Sequence, residues 1–159
     1  MSRLNRHSSS AEEVYDRYAD LLYRIALAQT GSDADAQDVL QDVFVQYITK
    51  TPLFFSDEHE KAWLIRVTVN RCHDLHRYHS SHPTVSLDEA LGVATEDGDA
   101  VREILQTVSQ LSNKYKDTIV LHCLNGFTLQ ETAEILHISL SAAKMRLARG
   151  REMLQDLKK

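Results

Sequence analysis

Residues 131 to 154, ETAEILHISLSAAKMRLARGREML, constrain this chain more than any other stretch, because they read as a helix, a three-residue connection and a second, basic helix. Thr128 and Glu131 form the S/T-x-x-E pattern in which each side chain satisfies a backbone donor left open at a helix start. Leu129, Ala133 and Leu136 supply the apolar positions of that first helix. His137, Ile138 and Ser139 make the connection, and the Ser139 hydroxyl suits the N-cap of the next helix. So short a turn forces two crossed helices, the layout of a helix-turn-helix.

At about 100° per residue, Ala143, Leu147, Gly150 and Leu154 fall on one stripe of the second helix, which predicts its buried side. Ser141, Met145, Ala148 and Arg149 lie opposite. Lys144 and Arg151 flank that outer face on one side and Arg146 and Arg149 on the other, within reach of phosphates on both walls of a DNA groove. Met145 and Ala148 suit contact with thymine methyls, and Arg149 suits a guanine edge. The plainer alternative is a solvated amphipathic helix running to Lys159.

Two prolines and five glycines in 159 residues, with 43% hydrophobic residues, predict an all-α chain that forms one ordinary domain or two small ones. The net charge of −5 argues against a generally basic nucleic-acid coat, yet the charge is uneven. Cations collect in residues 144 to 159. Acids collect between residues 82 and 103, at Asp88, Glu89, Glu96, Asp97, Asp99 and Glu103, with Arg102 as their one opposing cation. No apolar run is long enough to span a bilayer, and MSRLNRHSSS lacks the apolar centre of a signal peptide, which predicts a cytoplasmic protein. In a reducing compartment Cys72 and Cys123 are expected as two buried thiols, not a disulfide.

Residues 11 to 29 repeat Val14, Tyr18, Leu21, Leu22 and Ile25 at a helical period. Gly31 ends that helix and Ser32 caps the next, which runs to about Lys50 before Pro52. Ser56 opens a third helix, expected to reach about Tyr78. Ser80 to Asp99 lacks a sustained period and reads as a linker with one short turn at Leu87 to Leu91. The chain therefore divides into an N-terminal domain (1–79), a linker (80–99) and a C-terminal helix-turn-helix domain (100–159), the last with helices near 100 to 110 and 113 to 124.

On the second helix Ala36, Val39, Leu40, Val43 and Tyr47 face inward. Asp38, Gln41, Asp42 and Val45 face outward, with Phe44 and Ile48 on the flanks. That mixture of acids, amide and aliphatics, without a cation before Lys50, suits docking on a basic, partly apolar protein. On the third helix Leu64, Ile65, Thr68, Cys72 and Leu75 make the inner stripe. Its outer stripe holds Trp63, Arg66, Asn70, His73, Asp74 and Arg77, the groups that stack on unpaired bases and hold their backbone. Trp63 suits a core position as well. Phe54 and Phe55, just before this helix, are each suited to plug the domain or to receive an extruded base, with at least one expected as a plug.

AQDVLQDVF at 36 to 44 resembles the pattern A-E-D-x-x-Q-E-x-F, and WLIRVTVNRCHDLHR at 63 to 77 resembles W-L-x-x-I-A-x-N-x-x-x-D-x-x-R. Both are motifs of the extracytoplasmic-function sigma factors, the small two-domain promoter-specificity subunits of bacterial RNA polymerase, and the resemblance runs from Tyr15 to Leu154. It implies that Asp38, Gln41, Asp42, Phe44 and Val45 dock on the polymerase core. It implies that the 54–60 loop and the helix bearing Asn70, Asp74 and Arg77 recognise and hold open the minus-10 element as single strands. The acidic linker is then expected to thread through the core, and the helix-turn-helix to read the minus-35 element as duplex. Promoter DNA, polymerase core and an anti-sigma factor are the partners implied, without membrane insertion, cofactor, small-molecule substrate or catalysis.

The recognition helix departs from the family's S-x-G-T-V-K-S-R-L, since Ala142 stands where a threonine hydroxyl is usual. The third helix ends His76, Arg77, Tyr78, His79 in place of an arginine cluster, and neutral imidazoles hold phosphate less well, so DNA affinity is expected to rise at lower pH. Cys72, His73, His76, His79 and His82 invite a metal reading, but no C-x-x-C or H-E-x-x-H partner supports it. The His73-Asp74 pair lacks the nucleophile or ligands that a hydrolase needs. The remaining rivals are a free-standing dimeric DNA-binding regulator and a sigma-like adaptor that binds core but initiates poorly.

Overall fold

The computed structural model describes residues 10–50, 52–81 and 98–158, and every regular element among them is helical. Helix α1 is Ala11–Thr30, opened by Ser10, whose hydroxyl accepts from the Glu13 amide at 3.1 Å. Gly31 closes it at φ 69°, a left-handed conformation that costs glycine little, with its amide donating to Leu27 O at 2.8 Å. The Ser32 hydroxyl then accepts from the Asp35 amide at 3.1 Å and starts α2, Asp33–Lys50. This short link folds α2 back on α1, and α3, Asp57–Ser81, packs across both. Helix α3 continues past the expected end at Tyr78 because His76 and His79 find partners on α1 and α2, at Gln29 O and Asp35.

The second unit contains α4 (Gly98–Ser109), α5 (Asn113–Thr118), a π-helical continuation over Ile119–Leu124, α6 (Leu129–Leu136) and α7 (Leu140–Lys158). Thr128 and Glu131 make the reciprocal capping box at the start of α6. His137 turns the chain at φ 58°, and the Ser139 hydroxyl accepts from the Ala142 amide at 3.0 Å to begin α7. Gly150 allows α7 to approach the π segment closely, since a Cβ there would lie 3.1 Å from Ile119 Cγ1.

The inner stripes of α1, α2 and α3 are buried as their periods predict, with Leu21 and Leu75 half-buried. Ala143, Leu147 and Gly150 of α7 are buried and Leu154 is half-buried. Phe44 is not a flanking surface residue: it is buried, with its ring 5.0 Å from that of Tyr15. Cys72 is buried as expected, and burial pushes its thiol pKa up. Cys123 is a correction, because the π segment turns it outward to an apolar cleft between α4 and α7. The expected linker falls largely outside the described residues, as do the turn at Leu87 to Leu91 and His82. No described helix is long and apolar enough to cross a membrane.

The two units touch. Helix α1 packs on α4 and on the π segment, and α3 packs on α6.

Candidate nucleic-acid and protein interfaces

The outer face of α7 is built by subtraction: once Ala143, Leu147 and Gly150 are buried, Ser141, Lys144, Met145, Ala148, Arg149 and Arg151 are necessarily outside, and all six are exposed. Arg146 is half-buried at the edge. Arg149 meets Glu152 one turn on at 3.4 Å, while no ion pair among the described residues involves Lys144, Arg146 or Arg151. The result is a small-residue floor with cations at its margins, presented by a helix whose start is fixed by the crossed, capped α6.

The second surface is a groove of about 370 Å³ between α1 and α2, lined by Tyr15, Asp38, Gln41, Phe44, Val45 and Ile48 among others. Val45 and Ile48 are more than half exposed. Buried Phe44 forms the groove floor with Tyr15, whereas Asp38 and Gln41 stand at its rim. Asp42 is turned away from the groove: it accepts from Arg71 of α3 at 2.7 Å. Arg71 also donates to Asp74 at 3.1 Å, and Asp74 in turn pairs with Arg77. The Asp42 carboxylate raises the Arg71 pKa further, so this link between α2 and α3 stays charged. Arg71 was missed in the sequence because it sits at the border of the two stripes, and its i, i+3 spacing to Asp74 was the available signal.

The third surface begins at the two adjacent phenylalanines, which part company. Phe54 is 1% exposed and packs near Tyr47 and Trp63, with centroids 6.3 and 5.7 Å away. Phe55 is 74% exposed and stacks on His59 at 5.8 Å. The half-buried Trp63 also lies edge-on to Tyr47 at 6.2 Å. Beneath this cluster the Tyr47 hydroxyl donates to Glu60 at 2.9 Å, and burial together with that carboxylate pushes the tyrosine pKa up.

Farther along α3 the expected outer stripe splits. Asn70 and Arg77 are exposed. Arg66 instead donates from Nε to Ile135 O of α6 at 3.1 Å, and burial lowers its pKa. His73 Nε2 lies 2.9 Å from Asp117 of α5. Periodicity could not separate these residues, because what covers Arg66 and His73 arrives from more than forty residues downstream. No cluster of three or more His, Cys, Asp or Glu placed to hold a metal occurs among the described residues.

Two families match the chain in sequence order: Sigma-70 region 2 over residues 14–82 and Sigma-70, region 4 over residues 101–154. Among curated proteins it is similar to the ECF RNA polymerase sigma factor SigW of Bacillus subtilis, 28% identical over 90% of this chain and 86% of that one. It is also similar to SigM of the same organism, likewise an ECF RNA polymerase sigma factor, 29% identical over 92% of this chain and 93% of that one. Among solved structures, CnrH in complex with the cytosolic domain of CnrY has the same fold, with TM-score 0.73 at 24% identity over 95% of this chain and 90% of that one. So does RpoE in complex with the anti-sigma factor NepR from Bartonella quintana, with TM-score 0.71 at 20% identity over 92% and 94%.

Proposed function

We propose a division of labour for this chain, which belongs to the sigma-70 family, as a sigma factor of the extracytoplasmic-function type that serves RNA polymerase as a promoter-recognising subunit. Residues 1–79 bind core polymerase and the minus-10 element, 80–99 link the domains, and 100–159 bind the minus-35 element. The observation that carries this reading is the contrast between two exposed surfaces: an apolar groove between α1 and α2 with Asp38 and Gln41 at its rim, and a cation-flanked face on α7. The first suits a basic, partly apolar protein and the second suits duplex DNA.

In this reading Asp38, Gln41 and Val45 meet the polymerase core directly, with Ile48 as an additional apolar contact. Phe44 supports the groove from below, and Asp42 acts by fixing Arg71 and hence the pitch of α3 against α2. At the minus-10 element Phe55 and Asn70 contact unpaired bases and Arg77 their backbone. Phe54 and Trp63 hold the loop in place, and Asp74 orients Arg71 and Arg77. Arg66 and His73 contribute once α3 is uncovered. At the minus-35 element Ser141, Met145, Ala148 and Arg149 meet base edges, and Lys144, Arg146 and Arg151 neutralise phosphates.

The family is one of non-catalytic initiation factors. This chain accordingly performs no chemistry of its own, needs no cofactor, and works in the cytoplasm, where polymerase and promoter are. An anti-sigma protein is proposed as a further partner, in keeping with the complex of RpoE with NepR.

The test is the double variant Asp38→Ala/Gln41→Ala, titrated against core polymerase. Both residues are exposed, so folding should be unaffected. Core affinity is expected to fall at least tenfold, and unchanged affinity would contradict the docking assignment.

A further inference from the structure

Lys116 and Asp117 are consecutive on α5 and both are buried. Both side chains reach out of their own unit into the preceding one. Lys116 Nζ lies 3.4 Å from the main-chain oxygen of Gln29 and 3.1 Å from His76 Nε2. Asp117 Oδ1 accepts from Gln29 Nε2 at 2.6 Å and lies 2.9 Å from His73 Nε2. Gln29, itself fully buried, sits in the last turn of α1, where outward carbonyls concentrate negative potential and favour a cation. A buried lysine and a buried aspartate are tolerable here because each has polar partners across the seam.

The same packing occupies α3. Arg66 is tied to Ile135 O, His73 to Asp117, and Lys61 lies 5.1 Å over the ring of Phe127. On the functional reading above, on which this inference rests, part of the minus-10 face is therefore held by the chain's own C-terminal unit. Engaging DNA along the whole of α3 requires the seam to part.

His76 is the component of the seam that a proton would disturb most. Its Nε2 lies 2.8 Å from Gln29 O of α1 and 3.1 Å from the Lys116 ammonium of α5, with His73 and His79 its neighbours on α3. The neighbouring carboxylates are already engaged, Asp117 by His73 and Gln29, and Asp35 by His79. We propose that this seam is a proton-sensitive latch: with His76 neutral the two units close on one another, and a proton on His76 sets two cations side by side in a partly buried junction, parts the units and uncovers α3.

The sign follows from the surroundings of His76. Burial first, and then the Lys116 cation, lower its pKa in the closed state, against only the Gln29 carbonyl raising it. The closed state thus favours the neutral ring. Its stabilisation is fully present above the ordinary imidazole pKa of about 6.5 and is lost as pH falls below that value. His73 lies beside the Asp117 carboxylate, whereas His76 lies beside the Lys116 cation.

The test uses the whole chain with donor and acceptor dyes on cysteines introduced at Asp20 and Glu152, in a Cys123→Ser background that leaves only buried Cys72. Single-molecule energy transfer at nanomolar concentration reports closed and open populations. Between pH 7.5 and 5.5 the open-to-closed ratio is expected to rise by up to about tenfold, the limit set by protonating an ordinary imidazole in the open state alone. His76→Gln should flatten that response and His73→Gln should retain it. Lys116→Met should reduce it, because the cation is lost while the burial of His76 remains, and it serves if His76→Gln loses helix content. A flat wild-type profile, or full response in both the His76 and Lys116 variants, would overturn the latch. Promoter opening by holoenzyme separates the two claims: a pH-driven change in distance with no effect of Asn70→Ala or Arg77→Ala on opening sinks the DNA assignment of α3, not the latch.

Discussion

Phe54 and Phe55 show how little adjacency in sequence says about role. Phe54 is buried against Tyr47 and Trp63 and meets the edge of His59, whereas Phe55 stacks on His59 and is largely in solvent. Phe54→Ala should leave a cavity and lower stability by about 3–5 kcal/mol, read as a drop in the urea midpoint. Phe55→Ala should stay within about 0.5 kcal/mol of wild type and instead reduce the reactivity of unpaired thymines in the promoter bubble. Equal loss of stability in both would refute the division. The pair FF carries no period, so which ring turns inward depends on Tyr47 and Trp63, and the sequence supports only the weaker expectation that one of them plugs the domain. Arg71 was hidden for a related reason: its partner Asp42 belongs to a different helix.

At the scale of the helix, pattern was far more informative. The faces of α7 follow from a 3.6-residue period that Gly150 and Ala143 make unusually clear, because two small residues mark where neighbouring helices approach. Thr128, Glu131 and Ser139 fix the helix starts by local hydrogen bonds, which depend on spacing alone and so are visible in sequence. The π-helical turn at Ile119–Leu124 had no such local signal, and with it went the exposure of Cys123. Because Lys144 is exposed and has no ion pair among the described residues, it is available to phosphate. Lys144→Ala should weaken binding to a minus-35 duplex evenly across sequences and reduce the slope of log affinity against log salt by about 0.9. An unchanged slope would remove Lys144 from the interface.

For the molecule as a whole, the order of elements and the all-helical class were legible, since short connections and capped helices leave few alternatives. The seam between the units was not. Gln29 meets Asp117, and His76 meets Lys116, across separations over which no periodic pattern extends. His76 reads in sequence as part of a histidine-bearing helix end, and no local pattern marks Lys116 or Asp117 as partners for another unit. Their meeting alters the expectation for acid: lower pH was expected to strengthen DNA binding by charging imidazoles near phosphates, and the seam adds the prior step of uncovering α3. Both effects have the same sign, and the distance measurement isolates the second.

The central claim, that this chain gives promoter specificity to RNA polymerase, is tested most directly by run-off transcription with purified bacterial core polymerase on a pool of fragments from the source genome. Discrete transcripts that appear only when the chain is present, and that weaken with Asp38→Ala/Gln41→Ala, are the expected result. An active core polymerase that yields no chain-dependent transcripts would contradict the account and leave a free-standing DNA-binding regulator or a non-initiating adaptor in its place.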